Sequence, residues 1–382
     1  MEKTPPAPVK WKVTTGLTAI SELEREWRAL AHERHAAWPY CGPEYLIAAM
    51  EVYHSEDRPV VISAYSRGRL AGVLPLVSRR MIKMGFSVRE MGFPNNPNVI
   101  NNDPLIAPRD ETDAATVAGA LLQGAFSLEA DSLILDHLPS APAISGCLRS
   151  AAACIGGWSL EPVPARRLFY AKLCPDWKDY LATRSRNHRW QVRKALKQAA
   201  DTKGLEVRRI CGRDQIRLHL RKWFDVERRS WQAADPGAAM SAADRQFHDL
   251  LLDRLAPEDV GDLWLVLVKD RPIAALRMLA GAMSVSVHTT HFDSSARDQA
   301  PGLLAFSAMM RAACEDGLQE VDMHGCTDFF KRWATGDRPH ETLRIFAPTL
   351  RGRALWMAAR AKRGVLHRET AKKRAKDPPG SQ

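Results

Sequence analysis

The stretch VDMHGCTDFFKRWATGD (321–337) sets Asp322, His324 and the pair Lys331-Arg332 close to apolar and aromatic residues. Asp322 and His324 fall on one face of what reads as a short buried strand, opposite Met323. Lys331 and Arg332 follow among Phe329, Phe330 and Trp333. Charge among apolar side chains is unfavourable unless something compensates it, so these residues point to a structural partner or to a substrate. A second stretch, SVSVHTTHF (284–292), carries His288 and His291 and runs into a polar loop ending at Pro301-Gly302, where a helix should begin. A helix N-terminus offers free N–H groups and partial positive charge, which suit phosphate, and Pro301 fits the first turn. A third feature is a cationic stripe, Arg186, Arg189, Arg193 and Lys197 at 3-4-4 spacing with Lys194 beside it, suited to phosphates or carboxylates.

An imidazole that is neutral near pH 7 is a capable general base. The candidates are taken in the order His324, Asp322, His288. Simple alternation places His288 and Phe292 on one strand face and His291 on the other. That alternation also separates the two histidines of HTTH as metal ligands. With no H-E-x-x-H and no carboxylate-rich loop in the chain, no metal is expected.

Two parts of the chain repeat one plan. PVVISAY (59–65) and LAGVLPLV (70–77) read as a hairpin, as do LWLVLV (263–268) and IAALRML (273–279). A helix follows each, near 111–126 and over 301–317, and then a short strand containing Asp, at 132–138 and 319–325. Between them lie helices expected at RNHRWQVRKALKQAA, capped by Ser185 or Thr183, at 211–231, and at 241–255 with Ser241 as cap. Periodicity breaks near 166–176, which suggests units over 1–165 and 166–350 and a tail over 351–382.

The chain of 382 residues is 45% hydrophobic and 26% charged, an ordinary globular composition. Of its net charge of +11, +8 lies in residues 351–382, so the excess is local and does not point to nucleic acid as the partner. That segment reads as a solvated or disordered extension, of a kind that can bind an anionic membrane surface or RNA. No apolar run reaches the roughly 18 residues of a membrane span, and the N-terminus lacks a signal-peptide core. Seven cysteines without a C-x-x-C pair suggest a reducing, cytoplasmic setting.

QAPGLL (299–304) is similar to the Q/R-x-x-G-x-G/A pyrophosphate loop of the GNAT acyltransferase superfamily. The wider run resembles the CelD/BcsL-like acetyltransferases of cellulose biosynthesis, and more distantly the Fem-type aminoacyl transferases. The matching features are Phe292-Asp293, Pro301-Gly302-Leu-Leu, Asp322 with Gly325, and Phe330-Lys331-Arg332-Trp333, together covering about 260–335. The resemblance implies an α/β (α+β) fold of tandem GNAT-like units, each a mixed, mainly antiparallel sheet flanked by helices. It implies a pantetheine arm between 284–292 and 319–323, with Gln299 in the loop and the pyrophosphate on the N–H groups of Gly302, Leu303 and Leu304. Leu304 stands where the family has a small residue, and its bulk would crowd a phosphate. By the same resemblance Lys331 neutralises an oxyanion or binds a phosphate, shielded by Phe330 and Trp333, while Arg186, Arg193, His288 and Phe330 border the acceptor.

The expected function is transfer of an acyl group from acyl-CoA, with acetyl-CoA the first choice, to an amine or hydroxyl of a sugar or cell-envelope polysaccharide precursor. One alternative is Fem-like transfer from aminoacyl-tRNA, against which stands the lack of a long heptad-rich helical arm. The other is a non-enzymatic basic protein that binds RNA or anionic membrane.

Overall fold

The computed structural model describes residues 9–34, 39–83, 85–96, 102–107, 111–140, 142–235, 239–281 and 283–376. The first unit opens with β1 (Val9–Thr15) and helices α1 (Leu17–Ser21), α2 (Glu24–Arg34) and α3 (Pro43–Tyr53). Strands β2 (Arg58–Ser66), β3 (Arg69–Lys83), β4 (Phe86–Gly92) and the two-residue β5 (Leu105–Ile106) follow. Then come α4 (Glu111–Phe126), β6 (Ser132–Pro139), α5 (Pro142–Cys154), the short β7 (Trp158–Ser159) and β8 (Val163–Lys172). Helices α6 (Trp177–Ala182) and α7 (Arg186–Asp201) lead into the second unit.

That unit repeats the order. It has β9 (Leu205–Cys211), α8 (Arg213–Arg228), α9 (Ala242–Arg254), β10 (Asp262–Val268), β11 (Arg271–Ala280) and β12 (Ser284–Phe292). It continues with α10 (Pro301–Glu315), β13 (Glu320–Asp322), α11 (Asp328–Trp333) and β14 (Gly336–Phe346), and α12 (Leu350–Lys376) comes last. Both hairpins expected from sequence are present. Each closes through two left-handed residues, Arg67-Gly68 (φ 50° and 76°) and Lys269-Asp270 (φ 48° and 64°), the turn that matches strand twist. Ser185 is the residue that caps α7, and Ser241 caps α9 in a reciprocal box with Asp244.

The strands form one continuous sheet, ordered β1-β2-β3-β4-β6-β14-β8-β13-β12-β11-β10-β9. Read from either edge, the two halves mirror each other except at the centre. There β14, the last strand of the second unit, pairs with β6 of the first, and β8, the last strand of the first, pairs with β13 of the second. The units have exchanged their final strands. A division at residue 165 falls inside β8.

Each half buries apolar side chains on both sheet faces. In the second unit α7 and α10 cover one face, and α8 and α9 the other, where Tyr40 and Tyr45 of the first unit join the core. The basic C-terminal segment differs from its expected form: α12 continues as a helix to Lys376, with Leu355 and Trp356 packed near Phe346. Two apolar anchors on the sheet make its start part of the fold rather than a free extension. Among the described residues no helix is long and apolar enough to cross a membrane.

Candidate active site

β12 and β13 pair in parallel over three residues only, Ser284↔Glu320 to Ser286↔Asp322. β12 then runs on to Phe292, whereas the other chain turns away. Met323 N–H donates to Phe169 O, and Phe169 N–H donates to Gly325 O, each at 3.0 Å. The turn uses a left-handed His324 (φ 46°) and a glycine with the Phe330 ring packed against it. The strands therefore splay, and the edge of β12 beyond Val287 is left open on that side.

β12 also carries a bulge. Arg277 pairs with Thr289 and Met278 with Val287, so His288 is an extra residue. This corrects the simple alternation. The inserted residue shifts parity, and His288 meets His248 of α9 while His291 meets Gln232 (Nδ1–Oε1 2.6 Å). Phe292 points the other way, 3.5 Å from where a Cβ on Gly302 would lie.

On the Phe292 side is a cavity of about 690 Å³ between α7, the start of α10 and α11, lined by Trp190, Lys194, Trp231, Gly302, Leu303 and Arg332 among others. Ala300 is left-handed (φ 48°) and Pro301 opens α10, a sharp entry that turns the helix start toward the cavity. Leu304 donates its N–H to Ala300 O at 3.1 Å, so the N–H groups left over in the first turn are those of Gly302 and Leu303. The Leu304 side chain is buried in the core, away from the cavity, and does not crowd it. Gln299 does not line the cavity; its Oε1 is buried without a hydrogen-bond partner.

The loop before α10 is held by Asp293, 2% exposed, which accepts from Ser295 N–H and Oγ, from Arg229 Nε (2.7 Å) and from Arg271 Nη2 (2.9 Å). Burial would raise its carboxyl, but these bonds outweigh it and bring it down to about 2.

The cations near the cavity are not those expected. In α11 Phe330 and Trp333 are buried at i,i+3, which leaves Lys331 exposed and outside the cavity lining. Arg332 lines it instead, 5.9 Å over the Phe329 ring and bonded to Gln191 Oε1 at 3.2 Å. In α7 the buried residues are His188, Val192 and Ala195. Arg186 and Arg193 therefore face solvent, and the neighbouring stripe of Gln191, Lys194 and Gln198 faces the cavity. Lys194 lies 5.1 Å over Trp190. Arg297 adds a further cation to the lining. The stripe read from charge alone is rotated by one position from the stripe that lines the cavity.

On the other sheet face is a buried polar cluster. His288 Nε2 lies 3.2 Å from His248 Nδ1, and Tyr40 stacks on His324 with ring centroids 3.9 Å apart. The Tyr40 hydroxyl, His248 Nε2, His288 Nδ1, His291 Nε2 and His324 Nδ1 are all buried without a hydrogen-bond partner. Burial lowers every one of these imidazoles, His248 to about 3 and His291 to about 4, so all are neutral at pH 7. Asp322 is engaged: its Oδ1 accepts from His324 N–H at 2.9 Å, and Arg338 lies 3.6 Å from Oδ2. Of the expected residues, then, His288, Asp322 and His324 come together here, and Gly302, Leu303 and Phe330 border the cavity. Tyr40 and His248 carried no signal in the sequence, because an aromatic before a helix and a histidine within one are ordinary core residues.

Residues 186–332, from the first residue of α7 to Arg332 beside the cavity, match the family model of an acetyltransferase (GNAT) domain. The chain carries a GNAT-type acyltransferase domain over these residues. No curated protein matches the chain. Among solved structures, FemX is 13% identical with a TM-score of 0.60, over 88% of this chain and 98% of that one. L-PGS from Bacillus licheniformis is 10% identical with a TM-score of 0.51, over 87% and 94%. A tandem GNAT protein from the clavulanic acid biosynthesis pathway is 14% identical with a TM-score of 0.45, over 89% and 99%. The first two share the fold over nearly their whole length, and the GNAT domain carries the splay, the bulge and the cavity described above.

Proposed function

We propose that this acyltransferase uses acyl-CoA, with acetyl-CoA the first donor to test. The observation that carries the reading is the conjunction of an open β12 edge with an α10 start whose two unpaired N–H groups adjoin a cavity of about 690 Å³. The residues fit the donor. Gly302 and Leu303 N–H would hold its pyrophosphate, and Lys194, Arg297 and Arg332 would balance the charge. The free edge of β12 would accept the amide groups of the arm, and Phe292 and Phe329 would exclude water from it. When bound, acyl-CoA supplies an activated thioester. The neutral histidines at the splay are then the groups of this chain able to take the acceptor's proton. For the acceptor we take an amine or hydroxyl of a sugar or cell-envelope precursor, a choice that rests on the CelD/BcsL-like resemblance.

Aminoacyl transfer is the second reading, favoured by the overlap with FemX over 98% of that chain. Calorimetry with acetyl-CoA, and with an aminoacyl-tRNA in parallel, separates the two. The acyl-CoA reading expects saturable acetyl-CoA binding that Gly302→Asp abolishes while the fold survives. Binding of the aminoacyl-tRNA alone would overturn it.

A further inference from the structure

We propose that His288 is the general base of the transfer and that His248 on α9 is its positioning residue, the two rings sharing one proton. This deepens the acyl-transfer reading and rests on it. His288 is the extra residue of the β12 bulge, two positions beyond the last residue paired with β13, so it stands at the mouth of the splay. Of its two ring nitrogens, Nε2 is taken by His248 Nδ1 at 3.2 Å, while Nδ1 has no hydrogen-bond partner. Only one proton fits between two imidazole nitrogens at that distance. If it sits on His288 Nε2, His288 Nδ1 is a bare lone pair and His248 carries its own proton on Nε2.

The surroundings suit that state. Tyr40 and Tyr45 stand against His288 from the first unit, with centroids 6.2 and 6.0 Å away, and His248 approaches from α9. Arg277 of β11 is 4% exposed and donates to two main-chain carbonyls, Asp262 O and Met278 O. His324 bears on it from beyond β13, and His291 of β12 lies near His248. Burial, His248 and the Arg277 charge all hold the His288 imidazole well below its ordinary value, so the ring is neutral at pH 7. His324 is the weaker candidate. Its ring is stacked on Tyr40, and its Nε2 lies 3.8 Å from Asp322, beyond hydrogen-bond length.

In the step, the acceptor's proton passes to His288 Nδ1 as the acceptor's lone pair bonds to the acyl carbon. The His288 Nε2 proton moves toward His248 Nδ1, which spreads the positive charge over both rings. The carbon–sulfur bond breaks with its electron pair on sulfur, and the proton is returned to that thiolate.

Two measurements on the full chain test this. Long-range proton–nitrogen NMR of the histidine-labelled protein should find His288 protonated at Nε2 and bare at Nδ1 at pH 7. His248→Leu should change that tautomer ratio and His248→Asn, whose Oδ1 replaces Nδ1, should restore it. In thiol release from acetyl-CoA with glucosamine as amine, His288→Ala should lower kcat about 10²–10⁴-fold with the acetyl-CoA Kd unchanged. His248→Leu should lose less, and His248→Asn should recover most of that loss. A His288 protonated at Nδ1, or a tautomer indifferent to His248→Leu, overturns the pairing whether or not glucosamine turns over. Absence of acetyl-CoA binding would overturn the acyl-CoA reading and leave the tautomer result standing.

Discussion

Phe330 closes over Gly325: a Cβ at position 325 would lie 2.3 Å from two carbons of the ring. That contact lets the chain turn away from β12 and lets α11 seat against Phe306, whose ring centroid is 5.8 Å from that of Phe330. Gly325→Ala should force Phe330 out and cost about 1–3 kcal/mol, as overpacked cores do. Acetyl-CoA affinity should fall with it, because Phe330 lines the cavity. Gly119→Ala is the control, since nothing lies within 4 Å of a Cβ there and α4 should gain about 0.5–1 kcal/mol. Denaturation midpoints for the pair check both signs.

Charge at the cavity should matter by position rather than by count. Lys194→Gln and Arg332→Gln should each weaken acetyl-CoA binding about tenfold, or ~1.4 kcal/mol. Added salt should shrink that difference. Lys331→Met and the double change Arg186→Gln with Arg193→Gln should leave the Kd near parental, since those side chains lie outside the cavity lining. A kcat loss of about 10²–10³-fold for Lys331→Met in thiol release would restore the oxyanion role expected from sequence.

Acid should destabilise the fold earlier than carboxylates alone would. His188, His291 and His340 are lowered to about 4 and His248 to about 3, chiefly by burial. Their unfolded value is near 6.5, so between there and about 4 the unfolded chain binds protons that the folded one refuses. Stability is full above pH 6.5 and falls with pH by about 1.4 kcal/mol per unit for each such histidine. His188 offers a test. Neither of its nitrogens has a hydrogen-bond partner, and its ring abuts Trp333 edge-on, with centroids 4.4 Å apart. His188→Phe should keep the packing and flatten the slope of stability against pH by about one proton, read from urea midpoints at pH 7 and pH 5.

The exchanged strands should make the units inseparable. A chain of residues 1–165 lacks β14, and so leaves the β6 backbone unpaired along one edge. It should aggregate or refold poorly, whereas mixing it with residues 166–382 should recover soluble complex. Size-exclusion chromatography of each piece and of the mixture decides. A monomeric, cooperatively unfolding 1–165 fragment would show that the exchange is dispensable.

The sequence by itself determined the elements. Apolar runs with left-handed turn residues specify both hairpins, and Ser185 and Ser241 specify helix starts, because these signals act over a few residues. The repeat of hairpin, helix and Asp-bearing strand is likewise visible without coordinates, as is the Pro301-Gly302 helix start. Only the tertiary structure decided which side chains meet. One inserted residue in β12 reversed the expected separation of His288 and His291, and a bulge depends on pairing with β11 rather than on local sequence. The burial of His188, Val192 and Ala195 rotated α7 so that Lys194, not Arg193, faces the cavity. His248 is 40 residues from His288 in sequence, and Tyr40 is in the other unit. No periodicity relates them, because their contact is a property of how helices pack on the two faces of a sheet.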